Sequence, residues 1–153
     1  RVITFILRVN ADIERTADHA ASIAKLVGKI SNLNVPAPRW PTALLELSER
    51  VPKLCHELMR AVLSEDVEAA RGIVKSDAII DQLERRLFDE VLEMMKTAGR
   101  SDKELSLGMY IYRMSRDLER IGDLMASIAE DVVYLATGEI IRHAKRRVRP
   151  TMQ

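Results

Sequence analysis

The chain is 153 residues long, and its composition restricts the kind of protein it can be. Hydrophobic residues make up 47% of it, which excludes a disordered chain, and no apolar run approaches the length of a transmembrane helix. A single cysteine, Cys55, excludes a disulfide framework and a zinc site built from cysteines, and it favours a reducing compartment. With only 6 glycines and 5 prolines, the sequence predicts an all-α protein.

The formal net charge of +1 conceals an uneven distribution of charge along the chain. Five basic residues and no acidic residue follow Ile140, so that the rest of the chain carries more acidic than basic residues. A surface with an excess of acid repels phosphate backbones, and we therefore expect no nucleic-acid partner. Residues 139–153 are expected to form a basic, solvated C-terminal tail, with contact to anionic lipid or to an acidic partner as the alternative.

The first predicted element is a helix over residues 1–28, which we expect to end at Gly28. Residues 29–41 contain three prolines and are predicted to form a linker. The second helix is predicted from about Thr42 to Leu63. It contains Pro52, where we expect a kink or a later start of the helix, because proline cannot donate a backbone hydrogen bond.

The last two predicted helices form a long hairpin. The third covers about residues 66–98 and begins with acidic residues, which suit the positive end of a helix dipole. The sequence Ser101-Asp-Lys-Glu104 is typical of a capping box and marks the start of the fourth helix. That helix is expected to end at Gly138. The pattern predicts an antiparallel bundle of four long helices.

An internal repeat organises the sequence. Residues 12–25 read DIERTADHAASIAK, residues 117–130 read DLERIGDLMASIAE, and eight of the fourteen positions are identical. We interpret this as a duplication, in which the first helix is the last helix of a truncated first repeat and residues 42–138 are a complete three-helix second repeat. If the two repeats are equally long, about 64 residues of the first repeat lie outside this chain.

Carboxylates occupy positions on the hairpin where a core would favour apolar side chains. Asp77 and Asp81 lie four residues apart in the third helix, and Glu119 and Asp123 have the same spacing in the fourth, so each pair points to one side of its helix. A short loop makes these helices antiparallel neighbours. If the hairpin is centred near residue 100, Asp77 lies level with Asp123 and Asp81 with Glu119.

Four carboxylates in one small volume repel one another, by about 3 kcal/mol per pair at roughly 5 Å and an effective dielectric constant of about 20. Protonation, pairing with arginine or a bound cation would relieve this repulsion. Ligands that are all oxygen suit hard ions such as Mg²⁺, Mn²⁺, Ca²⁺ or iron. We expect Gly122 and Ala126 to leave room for an ion and its waters.

The alternative is a solvated helix face without a metal, because this spacing of acids is common on such faces. Glu84 is expected to lie opposite Arg116 and to form an ion pair with it rather than to bind a metal. Several arginines lie close enough to neutralise part of the acidic charge, namely Arg15, Arg113, Arg116 and Arg120.

At these residues the sequence resembles the PhoU family. Residues 117–143 resemble the signature of its last helix, residues 11–25 the same signature in its first repeat, and residues 76–84 its middle-helix pattern. The resemblance implies a six-helix duplication of a three-helix bundle. It also implies metal binding by E/DxxxD motifs, with iron, manganese, magnesium or zinc as the ion and, in some members, multinuclear iron clusters.

Carried over residue by residue, the motifs match Asp77, Asp81, Glu119, Asp123, Glu14 and Asp18. The middle-helix partners of Glu14 and Asp18 would precede the chain, so the first helix holds at best half a site. His19 stands where the other copy has Leu124. It is interpreted as an exposed or packed histidine, with a nitrogen ligand as the alternative.

The resemblance further implies a regulator and not an enzyme. Such a protein represses phosphate uptake and phosphate-starvation signalling, and it links the ATPase of a phosphate ABC transporter to a sensor histidine kinase. The implied location is the cytoplasm, with membrane association only through those partners. A homodimer is the implied assembly.

Two alternatives remain open at this point. A PhoU-like adaptor domain of a sodium–phosphate symporter would have the same fold, and the residues preceding this chain would distinguish it. A ferritin-like di-iron protein needs a Glu-x-x-His motif from each of two helices. The residues three positions before the histidines are not acidic, which disfavours that class: Thr16, Lys53 and Ile140.

Overall fold

The computed structural model describes residues 2–36, 39–97 and 101–141. In these ranges the chain forms helices and no strand, which confirms the all-α prediction. The helices are α1 (Val2–Ser31), α2 (Thr42–Ser64), α3 (Val67–Thr97) and α4 (Asp102–Thr137). None of them combines the length and the apolar composition that crossing a bilayer requires. Most of the predicted basic tail, residues 142–153, lies outside the described ranges.

The first helix is longer than predicted, because it does not end at Gly28. The backbone N–H of Asn32 donates to the carbonyl of Gly28, so α1 continues to Ser31. Ile30 and Leu33 pack against the hydrophobic core beyond that glycine. Their burial favours another helical turn at a position where the glycine alone would permit a stop.

Pro52 does not delay the start of α2, so that part of the prediction is wrong. The helix begins at Thr42 and runs through Pro52 to Ser64. The proline ring lies on the exposed face, whereas Val51 and Leu54 on either side of it are buried in the core. Packing of the apolar face therefore maintains the helix across the missing backbone donor.

Local capping defines the ends of the hairpin helices. Asp66 accepts a hydrogen bond from the backbone N–H of Ala69 at 2.9 Å, as an N-cap of α3 does. Ser101 and Glu104 form the predicted capping box of α4. Gly138 ends that helix with φ 75°, a left-handed conformation that glycine adopts without a steric penalty.

The central element is α4, which packs against each of the other three helices. Helices α2, α3 and α4 form a three-helix bundle, and its core includes Leu47, Leu87 and Ile111. The rings of Phe88 in α3 and Tyr112 in α4 meet edge to face, with centroids 5.5 Å apart. This pair fits the antiparallel register that a hairpin centred near residue 100 requires.

The first helix lies outside this bundle and packs on α4 alone among the described helices. It runs antiparallel to α4, because Arg8 pairs with Asp131 near one end and Lys29 lies over the ring of Tyr110 near the other. Only Leu26 of its 30 residues is fully buried. Its other face exposes large apolar side chains, namely Val2, Ile3, Ile6, Leu7, Ile13 and Val27.

Candidate metal centre

Three of the four predicted carboxylates converge between α3 and α4. Asp77, Asp81 and Asp123 each offer an oxygen, and these oxygens lie within 4.8 Å of one another. Asp77 is only 2% exposed, while Asp81 and Asp123 are half-buried. One helical turn separates the two acids of α3, and the antiparallel register brings the acid of α4 level with them. We name these three residues the aspartate cluster.

The three aspartates come together because α3 and α4 approach closely, and Gly122 permits that approach. A Cβ atom at Gly122 would lie 2.7 Å from Cδ1 and 3.2 Å from Cγ2 of Ile80. The expectation that Gly122 leaves room for an ion is therefore wrong, because the side chain of Ile80 fills that space. The glycine instead lets α3 approach α4. The contact lies next to the cluster, because Ile80 precedes Asp81 and Gly122 precedes Asp123.

Glu119, the fourth predicted ligand, lies beside the aspartate cluster and not within its 4.8 Å limit. It is buried, with 8% of its surface exposed. Its Oε2 atom lies 3.9 Å from a guanidinium nitrogen of Arg116 and 3.7 Å from one of Arg120. The buried carboxylate is thus partly compensated by two arginines of its own helix.

The predicted ion pair between Glu84 and Arg116 is confirmed, with 3.4 Å between Oε1 and Nη1. Burial on its own lowers the pKa of the Arg116 guanidinium, but the charges of Glu119 and Glu84 outweigh it and raise the pKa above its ordinary value. Arg116 therefore stays protonated at every physiological pH. It connects α3 to α4 at the edge of the site.

Glu14 and Asp18 are exposed on α1. Among the described residues, no group of three metal-ligating side chains includes either of them. His19 places Nδ1 2.8 Å from Oδ1 of Asp117, so the structure shows a histidine paired with a carboxylate across the α1–α4 interface. Of the two non-ligand roles expected for His19, this contact agrees with the packed one.

The two copies of the repeat make a reciprocal contact that the sequence pattern had not predicted. Ser22 of α1 donates to Asp117 of α4 at 2.7 Å, and Ser127 of α4 donates to Asp12 of α1 at 3.3 Å. Asp12 is equivalent to Asp117 in the repeat, and Ser22 is equivalent to Ser127. The two contacts are therefore related by a local pseudo-twofold axis between the helices. The signal was present, because aspartate and serine stand ten residues apart in both copies.

The donor chemistry of the aspartate cluster fits a hard cation. Its ligand atoms are carboxylate oxygens, which Mg²⁺, Mn²⁺, Ca²⁺ and iron accept, and it includes no histidine or cysteine. A cation at this place would neutralise charge that the helices otherwise hold close together. The candidate ligands are thus Asp77, Asp81 and Asp123, with Glu119 adjacent.

Comparison with known proteins identifies the family. The family model described as the PhoU domain matches residues 44–132, which include the aspartate cluster. The chain is 30% identical over 148 residues to the phosphate-specific transport system accessory protein PhoU homolog 1 of Thermotoga maritima, covering 97% of this chain and 62% of that protein. It is 33% identical over 134 residues to a PhoU homolog of Xylella fastidiosa (strain Temecula1), covering 87% of this chain and 53% of that protein.

A solved structure shows the same fold. The crystal structure of the phosphate transport system regulatory protein PhoU from Streptococcus pneumoniae superposes with a TM-score of 0.78 at 27% sequence identity, covering 92% of this chain and 64% of that one. The chain spans about three fifths or less of the length of the first curated relatives it matches. Because the family model matches more than half of its residues, the chain belongs to the PhoU family.

Proposed function

We propose that this chain acts in a regulator that represses phosphate uptake and phosphate-starvation signalling when phosphate is plentiful. The observation that carries the proposal is the PhoU domain match over residues 44–132, which spans most of the three-helix bundle. The names of the relatives describe accessory proteins of a phosphate-specific transport system. We propose a regulatory and not an enzymatic role on the same basis.

The second part of the proposal is a metal ion on the aspartate cluster. Asp77, Asp81 and Asp123 would hold it, and Glu119 would join them as a fourth ligand. Iron, manganese, magnesium and calcium all suit the oxygen donors. The ion would supply positive charge between α3 and α4, and would thereby fix the relative position of the two helices.

The partners proposed for this regulator are the ATPase of a phosphate ABC transporter and a sensor histidine kinase. Such partners would place it in the cytoplasm, with membrane contact through the importer. We also propose a homodimer as its assembly. Support for these points is the family membership and the names of the relatives.

Elemental analysis of the purified protein tests the metal. We expect bound metal in the wild type and a loss of most of it in the double variant Asp81→Asn/Asp123→Asn. The matched control is Asp89→Asn/Glu93→Gln, since these exposed acids have the same four-residue spacing on α3. Equal and negligible metal in all three proteins, also after incubation with Mn²⁺ or Fe²⁺, would reject the site.

A reporter of the phosphate-starvation response tests the regulatory role. In a bacterium that lacks its own PhoU, the reporter should be active even at high phosphate, and expression of this chain should lower its activity. A tagged chain should also co-purify the ATPase of the importer. Unchanged reporter activity together with no captured ATPase would contradict the proposal.

A further inference from the structure

One arginine contacts both the aspartate cluster and the adjacent fourth carboxylate. Nη1 of Arg120 lies 3.3 Å from Oδ2 of Asp123, and Nε of the same guanidinium lies 3.7 Å from Oε2 of Glu119. Asp123 is at the same time a member of the aspartate cluster. A single guanidinium therefore bridges a candidate ligand and its neighbour on α4.

We propose that Arg120 is an internal competitor of the metal ion, and that its departure from Asp123 is coupled to metal binding. The inference rests on the proposed metal site and specifies how the protein sets the affinity of that site. A guanidinium and a metal ion both bind carboxylate oxygens as cations. While Arg120 holds Asp123 and Glu119, fewer carboxylate lone pairs are available to an ion.

The surroundings of the two arginines of this site indicate which of them moves. The side chain of Arg120 is 51% exposed, and both of its carboxylate partners belong to its own helix. The guanidinium already reaches water, so it can be hydrated when it leaves its carboxylates. Arg116 is held across the hairpin by Glu84 as well as by Glu119, so it has a partner outside the site whether or not a metal is bound.

This arrangement explains why Glu119 lies beside the cluster and not in it. Arg116 and Arg120 compensate its buried charge. Once Arg120 has left, Glu119 still has Arg116 as a partner and can move toward the ion. The site would then change from three carboxylates with a bound guanidinium to four carboxylates with a bound metal.

Titration of the metal-free protein with Mn²⁺, followed by calorimetry, tests the proposal with Arg120→Gln. We expect binding about three- to tenfold tighter than in the wild type, since a competing pair of modest strength is removed. The matched control is Arg113→Gln, which removes the same charge from an exposed position two turns away on α4. Its affinity for Mn²⁺ should stay within about twofold of the wild type.

Thermal unfolding gives a second measurement. Without metal, Arg120→Gln should unfold at a lower temperature than the wild type, because Glu119 and Asp123 lose a compensating charge. Its stabilisation by Mn²⁺ should be larger. Arg113→Gln should change neither quantity.

The outcomes separate the two proposals. If the wild type binds Mn²⁺ and Arg120→Gln binds it with the same affinity, the competition is refuted and the metal site stands. An equal gain of affinity in Arg113→Gln and Arg120→Gln would also refute it, because the effect would then be one of overall charge. If neither the wild type nor Arg120→Gln binds Mn²⁺ at millimolar concentration, both proposals fail.

Discussion

At the scale of single residues, the contact between Gly122 and Ile80 determines how closely α3 and α4 approach. From the sequence we expect space for an ion beside Gly122, because the sequence does not show which neighbour fills that space. Ile80 occupies it, with Cγ2 close to the position that a Cβ atom would take. The distance between the helices, and with it the geometry of the aspartate cluster, depends on this contact.

Gly122→Ala should therefore destabilise the protein, although alanine favours helix formation. Overpacking of a core typically costs about 1–3 kcal/mol, against a gain in helix propensity of about 1 kcal/mol. We expect a net loss of about 1 kcal/mol in the free energy of unfolding, measured by urea denaturation.

The control for this substitution is Gly72→Ala in α3. A Cβ atom at Gly72 meets nothing within 4 Å, and the residue is exposed. This variant should gain up to about 1 kcal/mol from helix propensity alone. A Gly122→Ala protein that is as stable as Gly72→Ala would show that Ile80 moves aside without cost.

Much of the candidate site could be predicted from single residues. Asp77 and Asp81 interrupt an apolar seam, and the hairpin register places Asp123 and Arg116 opposite Asp77 and Glu84. The position of Glu119 could not be predicted to the same detail. It depends on the contacts of its carboxylate with both Arg116 and Arg120, and the conformations of these long side chains are set by the tertiary packing.

At the scale of elements, the interface between α1 and α4 contains two copies of one polar contact with different strengths. Ser22 donates to Asp117 at 2.7 Å in a partly buried place, whereas Ser127 donates to Asp12 at 3.3 Å on the exposed side. The repeat supplies the same residue types to both contacts. The difference between them arises from the surroundings, including His19, which meets Asp117 and has a leucine as its counterpart.

Ser22→Ala should therefore destabilise the protein more than Ser127→Ala. A partly buried hydrogen bond to a charged group contributes about 1 kcal/mol or more, while a long and exposed one contributes less than about 0.5 kcal/mol. Denaturant unfolding of the two variants measures the difference. Equal losses would mean that exposure does not distinguish the two contacts.

We expect the backbone amides of α1 to exchange hydrogen faster than those of the three-helix bundle. This helix packs on α4 alone among the described helices, and only Leu26 in it is fully buried. Regions with few buried apolar contacts open at lower free energy than the core. We expect its amides to exchange at least about tenfold faster than those around Ile111 in α4, as measured by mass spectrometry. Protection of α1 equal to that of α4 would contradict this expectation.

The helix boundaries show where sequence reasoning at this scale succeeds. The ends of α4 were predicted from Ser101, Glu104 and Gly138, because capping is a local interaction between residues near in sequence. The glycine predicts an end of α1 at Gly28, but the helix continues to Ser31 through the packing of Ile30 against distant residues. Local chemistry was readable from the sequence, whereas tertiary packing was not.

At the scale of the whole molecule, a metal bound between α3 and α4 should stabilise the fold against unfolding. A ligand at a hundred times its dissociation constant adds about 2.7 kcal/mol to the free energy of unfolding if it binds only the folded state. We expect Mn²⁺ to raise the unfolding midpoint of the wild type. The variant Asp81→Asn/Asp123→Asn should show no such rise.

The same variant should be no less stable than the wild type in the absence of metal. Two of three neighbouring carboxylates become neutral in it, which removes the repulsion between them. Thermal unfolding with and without a chelator compares the two proteins. A large loss of stability in the metal-free variant would mean that the aspartates stabilise the fold through other contacts.

The reciprocal serine–aspartate contacts have a consequence for how α1 and α4 find their alignment. If one helix slid along the other by a single turn, about 5.4 Å, both contacts would break together, because both join the same two helices and a slide displaces each donor from its acceptor by the same distance. Apolar side chains at this interface tolerate such a slide far better than directional polar contacts do. Two hydrogen bonds therefore fix the register of the two helices, and an arrangement in the wrong register loses both of them.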